Sequence, residues 1–188
     1  MLIGLTGSYC SGKDTVAEYL VERKNFGHIS LSDELRKVLR SRNIDTTREN
    51  LIRIGTELRE KEGNGVLAKL VLQDIPENKN YVVTSIRHPA EVEVLRSRKD
   101  FIFINVDAPA VQRFERMEKR NRPGDPKTFD EFIKMEKKES QDHGPGQQLK
   151  KCMEIATIHF INDTDSLPNL YSKIDALLEK LRKEQTFK

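Results

Sequence analysis

The amino-acid sequence predicts a three-layer α/β fold, in which a parallel five-stranded sheet carries helices on both faces. Short apolar runs alternate along the chain with longer segments whose apolar residues recur at helical spacing. Parallel strands need crossover connections, and right-handed crossovers place helices on both sides of a sheet. No internal repeat or linker interrupts the 188 residues, so we expect a single domain over residues 1–188.

The chain opens with two strand–helix units. Residues 2–6 form a short apolar run typical of a buried strand, and after a loop of glycine and serine the helical spacing extends to about Lys24. Residues 29–31 predict a second strand. Ser32 follows at the position of a helix cap, and the first turn after it is acidic, which suits a helix N-terminus.

A helical region separates these units from the remaining strands. Helical spacing recurs over residues 48–61, breaks at Gly63 and Gly65, and resumes to about Asp74. We therefore expect a helical insertion with one break before the third strand, which residues 81–85 predict.

Strand and helix alternate again in the second half. Pro89 follows the strand predicted over residues 81–85, and Pro109 follows the strand predicted over residues 101–106. Because the first helical turn tolerates a residue without an N–H, each proline predicts the start of a helix. The helix after Pro109 extends to about Arg120.

The last third of the chain contains two further helices and one strand. Thr128 and Glu131 form a capping-box pattern that predicts a helix start. A loop over residues 144–146 follows, and residues 157–161 predict the fifth strand. Amphipathic spacing then predicts a long closing helix through Leu181.

Composition excludes several classes of protein. The 33 basic and 30 acidic residues leave a net charge of +3, without the strongly basic signature of a nucleic-acid-binding domain. Apolar runs are far shorter than the roughly 20 residues that cross a membrane, and Met1 leads straight into the first strand. Cys10 and Cys152 are too few for a disulfide scaffold. We expect a soluble, cytoplasmic protein without nucleic-acid or membrane partners.

The strongest signal for function lies between the first strand and the first helix. Residues 7–15, Gly-Ser-Tyr-Cys-Ser-Gly-Lys-Asp-Thr, fit the phosphate-binding pattern G-x-x-x-x-G-K in the strand–loop–helix context that the pattern requires. The glycines let backbone N–H groups point at phosphate oxygens, and Lys13 reaches the β and γ phosphates. The residues predicted to bind ATP here are Gly7, Ser8, Tyr9, Cys10, Ser11, Gly12, Lys13, Asp14 and Thr15.

Two positions depart from the usual form of this motif. The residue after the lysine is normally a serine or threonine that ligates Mg²⁺, and here it is Asp14. Its carboxylate could ligate Mg²⁺ or could satisfy the helix dipole, and the sequence supports both alternatives equally. The acid usually found at the end of the third strand is also missing, and Asp33 and Asp107 are the candidate substitutes.

These residues resemble the small P-loop kinases, which include nucleoside monophosphate kinases and dephospho-CoA kinases. Residues 2–17, LIGLTGSYCSGKDTVA, are similar to the opening of dephospho-CoA kinases except at Asp14. The Lys-Asp-Thr variant and residues 51–59, LIRIGTELR, resemble phage-type deoxynucleoside monophosphate kinases. The resemblance implies a P-loop NTPase fold with a helical acceptor region at about 32–75, an arginine-bearing lid at about 113–140, and Mg²⁺ with ATP as co-substrate.

An acceptor site for phosphoryl transfer needs cationic groups from several elements, because positioning and electrostatics supply most of the catalysis. Arg87 follows the third strand, where the resemblance implies an arginine that grips the acceptor phosphate. Arg36 and Arg59 are further acceptor-binding candidates. Asp33 matches the acid that, by the same resemblance, orients or deprotonates an acceptor hydroxyl; for a phosphate acceptor it would bind sugar or Mg²⁺.

Three arginines predict the catalytic part of the lid. Arg113, Arg116 and Arg120 share one helix face, which suits a mobile lid and also a solvated, ion-paired helix. By the resemblance, Arg116 and Arg120 close onto the transferring phosphoryl group. Asn162, after the last strand, lies where the family contacts the adenine base.

The sequence therefore predicts an ATP-dependent phosphotransferase, and most specifically a (deoxy)nucleoside monophosphate kinase that acts on small-molecule nucleotides. The helical insertion over residues 48–74 favours a monophosphate acceptor. A dephospho-CoA kinase or other small-molecule kinase is the first alternative, and a regulatory nucleotide-binding NTPase is the second. The sequence does not distinguish a monomer from a homodimer. Gln147 and Gln148 suit either a contact to nucleotide or a helix start.

Overall fold

The computed structural model describes residues 1–140 and 147–186, and its sheet confirms the predicted P-loop α/β fold. The strands are β1 (Leu2–Gly7), β2 (Gly27–Ser30), β3 (Tyr81–Thr84), β4 (Phe101–Asp107) and β5 (Ile158–Ile161). They pair in parallel in the order β2-β3-β1-β4-β5, with Leu2 opposite both Tyr81 and Phe101. The carboxyl ends of all these strands therefore meet at one edge of the sheet, where ligands bind in folds of this kind.

Helices cover both faces of the sheet, as predicted. They are α1 (Lys13–Lys24), α2 (Leu31–Ser41), α3 (Arg48–Glu62), α4 (Val66–Asp74), α5 (Pro89–Leu95), α6 (Ala110–Arg120), α7 (Phe129–Ser140), α8 (Leu149–Glu154) and α9 (Leu167–Thr186). Side chains alternate along β1, so Leu2 packs in the core with α2 to α5 and α8, and Ile3 packs in the core with α1 and α9. In the part of the chain that the structure covers, no helix has the length and apolar character that crossing a bilayer requires.

Two helix starts differ from the prediction. Helix α2 begins at Leu31, so Ser30 and not Ser32 precedes it, and the Ser30 hydroxyl bonds the Ser32 hydroxyl (2.9 Å) instead of a helix N–H. Pro109 is the residue before α6 and not its first helical residue. The capping box at Thr128 is confirmed, because the Thr128 hydroxyl accepts from the Glu131 N–H at 3.2 Å. The predicted loop over residues 144–146 lies outside the described residues.

Helix α8 was not predicted as an element of its own. It has six residues, too few to display a helical period, and Gln148 stands at its N-cap. Its Cys152 is fully buried in the core beside β1. The helix-start interpretation of Gln148 is therefore the one that the structure supports.

A histidine fixes the turn between β3 and α5. His88 is 5% exposed, and its Nδ1 accepts a hydrogen bond from the Ala90 N–H at 3.1 Å. This bond requires the neutral ring. Burial lowers the pKa of His88, and the positive charges of Arg59 and Lys151 act in the same direction.

We expect His88→Asn to weaken the pH dependence of stability. Because burial lowers the native pKa of His88 below its unfolded value of about 6.5, the unfolded chain binds more protons below that pH. The unfolding free energy should then fall as the pH decreases from about 7 to about 5. Asparagine keeps a capping oxygen but does not titrate. Urea unfolding measures the free energy of unfolding of the unaltered protein and of His88→Asn at pH 7 and at pH 5. The prediction is contradicted if the free energy of the two proteins differs by the same amount at both pH values.

Candidate functional site

The loop between β1 and α1 has the backbone of a phosphate cradle. Gly12 stands at the N-cap of α1 with φ +89° and offers no side-chain cap, so the first-turn N–H groups are open to a ligand. Gly7 has φ +150°, and a Cβ there would overlap the Val106 carbonyl oxygen. Both glycines are therefore required by the backbone, as the motif predicts.

Asn162 supports this loop from beneath. Its side-chain amide donates to the Ser11 carbonyl at 2.9 Å, and it is 3% exposed. A Cβ on Gly12 would overlap the same amide nitrogen. The sequence placed Asn162 at the adenine base; the structure turns its amide towards the loop backbone, where it holds the cradle.

Lys13 and Asp14 begin α1 at the mouth of the cradle. The Lys13 Nζ lies 3.7 Å from the Asp14 Oδ1, and the Asp14 side chain is 79% exposed. Thr15 follows in the first turn of α1, and it is half-buried. The Ser11 hydroxyl is fully buried and has no partner among the described residues, which leaves one donor in the loop unmet.

Serine hydroxyls join the ends of β2 and β3. The Ser30 hydroxyl donates to the Ser85 hydroxyl at 2.9 Å, and Ser32 lies 3.2 Å from Ser85. Arg36 donates to the Ser32 hydroxyl at 2.9 Å and to the Asp33 carboxylate at 2.7 Å. Two of the predicted acceptor residues, Asp33 and Arg36, are thus paired with each other at the edge that also carries the phosphate loop.

Arg87 lies at the same edge and contacts the segment before α8. Its Nη1 donates to the Gln147 side-chain oxygen at 3.0 Å, and its carbonyl accepts from the Gln148 N–H at 2.7 Å. Gln147 thus bonds an arginine that is predicted to bind the acceptor, and its predicted contact to nucleotide stays a prediction.

Arg59 is buried inside the fold, where its guanidinium is paired with the Glu91 carboxylate. Its guanidinium donates to the Glu91 Oε1 at 2.8 Å, and the two side chains are 5% and 0% exposed. The other Glu91 oxygen accepts from the backbone N–H groups of Arg87 (2.9 Å) and His88 (3.1 Å). Arg59 therefore pairs with the buried carboxylate that bonds the backbone of the turn between β3 and α5. This role differs from the predicted direct contact between Arg59 and the acceptor. Sequence reasoning missed Glu91, although it stands at the capping-box distance from His88.

Arg113 ties α6 to the phosphate loop and to α7. It is 7% exposed, and its Nε donates to the Ala108 carbonyl at 2.8 Å. Its Nη1 donates to the Tyr9 carbonyl at 3.4 Å and is paired with Glu136 of α7. Glu136 carries no motif that could have identified it from the sequence.

Arg116 binds the loops beneath the cradle. Its Nη2 donates to the carbonyls of Asn162 (3.0 Å) and Thr164 (2.9 Å), and its Nη1 lies 3.5 Å from the Ser11 carbonyl. Its Nε pairs with Asp165 at 3.2 Å. This predicted lid arginine thus stabilises the underside of the loop in the described conformation.

Arg120 reaches the tip of the phosphate loop. It is bonded to the Tyr9 hydroxyl and paired with Asp125 at 2.9 Å. Of the predicted lid arginines, Arg113 and Arg120 therefore both contact Tyr9, one at its carbonyl and one at its hydroxyl. Asp125 was not predicted as part of the site.

A cavity of about 280 Å³ opens between the phosphate loop, α7 and α8. Its lining residues are Ser8, Tyr9, Arg113, Ile133, Glu136, Lys137, Leu149, Lys150 and Met153. Apolar side chains from both helices form its walls, and lysines add positive charge.

The described residues do not contain a protein-only metal site. No group of three His, Cys, Asp or Glu side chains in them could hold a metal ion. Thr84, at the end of β3, bonds His28 at 2.8 Å, and Asp107 accepts from the Ala108 N–H at 2.9 Å. Asp14 is the carboxylate at the mouth of the cradle itself.

Comparison with known proteins identifies relatives and shared folds. A family model described as an AAA domain matches residues 3–142. A UPF0200 protein of Pyrococcus abyssi (strain GE5 / Orsay) is 31% identical over 188 residues, which cover 96% of this chain and 97% of the relative.

Solved structures of similar fold include small-molecule kinases. A shikimate kinase from Bacteroides thetaiotaomicron aligns with a TM-score of 0.61 at 18% identity, over 97% of this chain and 98% of the other. A gluconokinase from Sinorhizobium meliloti 1021 aligns with a TM-score of 0.56 at 17% identity, over 98% and 95%. At these identities the likeness shows the fold alone, a P-loop α/β fold that these two kinases share with this chain.

Proposed function

The chain belongs to the AAA-domain family and, with its Pyrococcus relative, to the UPF0200 proteins, and we propose that it is an ATP-dependent phosphotransferase. Its acceptor is a small anionic molecule, most specifically a (deoxy)nucleoside monophosphate. The observation that carries the proposal is the cradle of residues 7–15, in which two glycines with positive φ leave the backbone N–H groups open at the N-terminus of α1.

In this proposal the cradle binds the phosphates of ATP. The N–H groups of the loop and the first turn of α1 donate to phosphate oxygens, and Lys13 places its charge at the β and γ phosphates. Asn162 and Arg116 hold the loop in shape through the Ser11 carbonyl. Arg120, at the loop tip, stabilises the charge that develops on the transferring phosphoryl group.

The residues present fit a Mg²⁺ ion that arrives with ATP. Mg²⁺ is usually held by one or two protein oxygens, substrate phosphates and water. The exposed Asp14 carboxylate and the Thr15 hydroxyl would hold it. In the same loop, the Ser11 hydroxyl has no hydrogen-bond partner among the described residues. When bound, the ion neutralises phosphate charge.

The acceptor in this proposal lies at the edge formed by β2, β3 and the cavity beside Tyr9. Arg36 and Arg87 bind an acceptor phosphate, and the cavity of about 280 Å³ takes the rest of the molecule. Water is excluded when α6 and α7 stay packed on the loop, as Arg113 and Glu136 support.

A hydroxyl acceptor is a second candidate, favoured by Asp33. Its carboxylate is 52% exposed beside the serine hydroxyls of β2 and β3, as a general base for an alcohol would need to be. Dephospho-CoA is the first such acceptor to test.

We expect phosphoryl transfer from ATP–Mg²⁺ to a nucleoside monophosphate. The experiment offers ATP with each ribo- and deoxyribonucleoside monophosphate, and separately with dephospho-CoA, shikimate and gluconate. Asp33→Asn serves as a discriminating variant, because it should abolish transfer to a hydroxyl but reduce transfer to a phosphate far less. Transfer to dephospho-CoA alone would favour the second candidate. Tight ATP binding with no acceptor-dependent turnover would contradict both and favour a regulatory nucleotide-binding protein.

A further inference from the structure

Tyr9, Arg120 and Asp125 form a closed set of contacts, here called the Tyr9 clasp. The Tyr9 hydroxyl donates to the Asp125 Oδ1 at 2.9 Å, and Arg120 Nη2 bonds the Tyr9 hydroxyl. The same nitrogen donates to Asp125 Oδ1 (3.1 Å) and Oδ2 (2.9 Å). The Arg120 guanidinium also lies 4.8 Å from the centre of the Tyr9 ring, within the range of a cation–π contact.

Two members of the clasp, Tyr9 and Asp125, have further contacts that hold them in place. Arg113 donates to the Tyr9 carbonyl at 3.4 Å, so the tyrosine is held at both ends. The Asp125 side chain is 12% exposed and also accepts from the Arg122 N–H at 3.3 Å. Burial acts to raise the pKa of Asp125, but hydrogen bonds from Arg120 and Tyr9 outweigh it, so the pKa is lowered and the carboxylate stays charged. The clasp is therefore an ion pair with a defined geometry and not a loose surface contact.

The contacts inside the clasp use only one nitrogen of Arg120. Its bonds to Tyr9 and to both Asp125 oxygens all come from Nη2. Its Nε is buried and has no partner in the described part of the chain. A buried atom is not open to a ligand in this conformation, but Nη1 makes no bond to a described residue either, so Nη1 is the donor left for a phosphoryl oxygen.

We propose that Tyr9 and Asp125 are positioning residues, which hold Arg120 by its Nη2 at the phosphate-loop tip so that its remaining donors meet the transferring phosphoryl group. The inference rests on the proposed phosphotransferase function. Its physical basis is preorganisation: a long side chain that is already held in place does not lose rotamer freedom in the transition state.

An opposite role for Asp125 makes a different prediction. If the carboxylate competed with phosphate for Arg120, its removal would raise the reaction rate. A carboxylate that occupied both terminal nitrogens in a bidentate pair would leave little of the guanidinium for a phosphate. Here both oxygens share Nη2, which favours positioning.

The test measures Asp125→Asn and Tyr9→Phe against Arg120→Met. For each protein, kcat and KM for ATP are measured in the transfer assay, and Kd is measured for ADP and for ADP with aluminium fluoride, which mimics the transferring group. We expect both positioning variants to lower kcat about 10-fold to 100-fold and to weaken the aluminium fluoride complex by a similar factor. KM for ATP and Kd for ADP should change less than about 3-fold, a split that general loss of structure would not produce.

Glu93→Gln is the matched control. It removes a carboxylate from an arginine pair of 2.6 Å, with Arg96, on the exposed surface of α5, and should leave all four constants unchanged. Tyr9→Phe removes the hydroxyl but keeps the ring and its cation–π contact with Arg120, so its folding should be preserved; thermal melting checks this.

The outcomes separate the inference from the proposed function. If the unaltered protein binds neither ATP nor the aluminium fluoride complex, the proposed function fails. If it binds both and only Arg120→Met weakens the complex, the positioning inference is overturned while the function stands. A higher kcat in Asp125→Asn would also overturn the inference and assign Asp125 the competing role.

Discussion

Replacing Lys13 with alanine is expected to reduce ATP-dependent phosphoryl transfer by at least about 10²-fold to 10³-fold, the range seen when one preorganised electrostatic group is removed from an active site. Lys13 begins α1, and its ammonium stands at the mouth of the cradle beside Asp14, 3.7 Å away. No other lysine lies in residues 7–15. The measurement is kcat/KM for ATP with saturating acceptor, accompanied by Kd for ATP.

The control for this prediction is Lys69→Ala, which removes an exposed lysine from α4 without touching the loop. Both variants should melt within a few degrees of the unaltered protein, because the ion pair of Lys13 is long and partly exposed. Transfer by Lys13→Ala at the rate of the control would mean that the cradle does not bind the reacting phosphates.

The phosphate loop was predictable because its chemistry is local. Consecutive residues from Gly7 to Lys13 supply the turn, the donors and the charge, so their spacing alone carries the information. The strands and most helices were predictable for a similar reason, since their periods lie within a window of about 11 to 18 residues. Element boundaries moved by a residue or two where side chains found partners elsewhere, as the Ser30 hydroxyl did with Ser85.

The rest of the candidate site depends on contacts between distant residues. Asn162 is 151 residues from Ser11, and Asp125 is 116 residues from Tyr9. No spacing rule connects such pairs, and one acid among 30 is not distinguished by its type. The sequence could place Asn162 after a strand, but only the packed fold shows which way its amide points.

Arg59 shows a signal that the sequence did contain. It follows the buried Leu58 and lies one helical turn after Gly55, on the face of α3 that packs inward. An arginine on a buried face needs a carboxylate partner. Glu91, at the capping-box distance from His88, was the available one.

Arg59→Met is expected to lower the free energy of unfolding by about 3 to 5 kcal/mol, the usual effect of removing one partner from a buried ion pair. The loss would leave the Glu91 carboxylate, which is 0% exposed, without its counter-charge. Urea unfolding measures the effect. Arg42→Met is the matched control: it breaks the exposed pair with Glu57, at 3.1 Å, and should change stability by less than about 1 kcal/mol.

Adding Glu91→Gln to Arg59→Met distinguishes a buried charge from lost packing. Glutamine keeps an oxygen that can accept from the Arg87 and His88 N–H groups but needs no counter-charge, so the double variant should recover a substantial part of the lost stability. A loss that the second substitution does not reduce would indicate packing alone. Removal of a guanidinium that pairs with the buried Glu91 carboxylate must lower stability, because it leaves that charge unpaired. If Arg59→Met instead left stability unchanged and raised KM for the acceptor, Arg59 would be an acceptor ligand, as the sequence predicts.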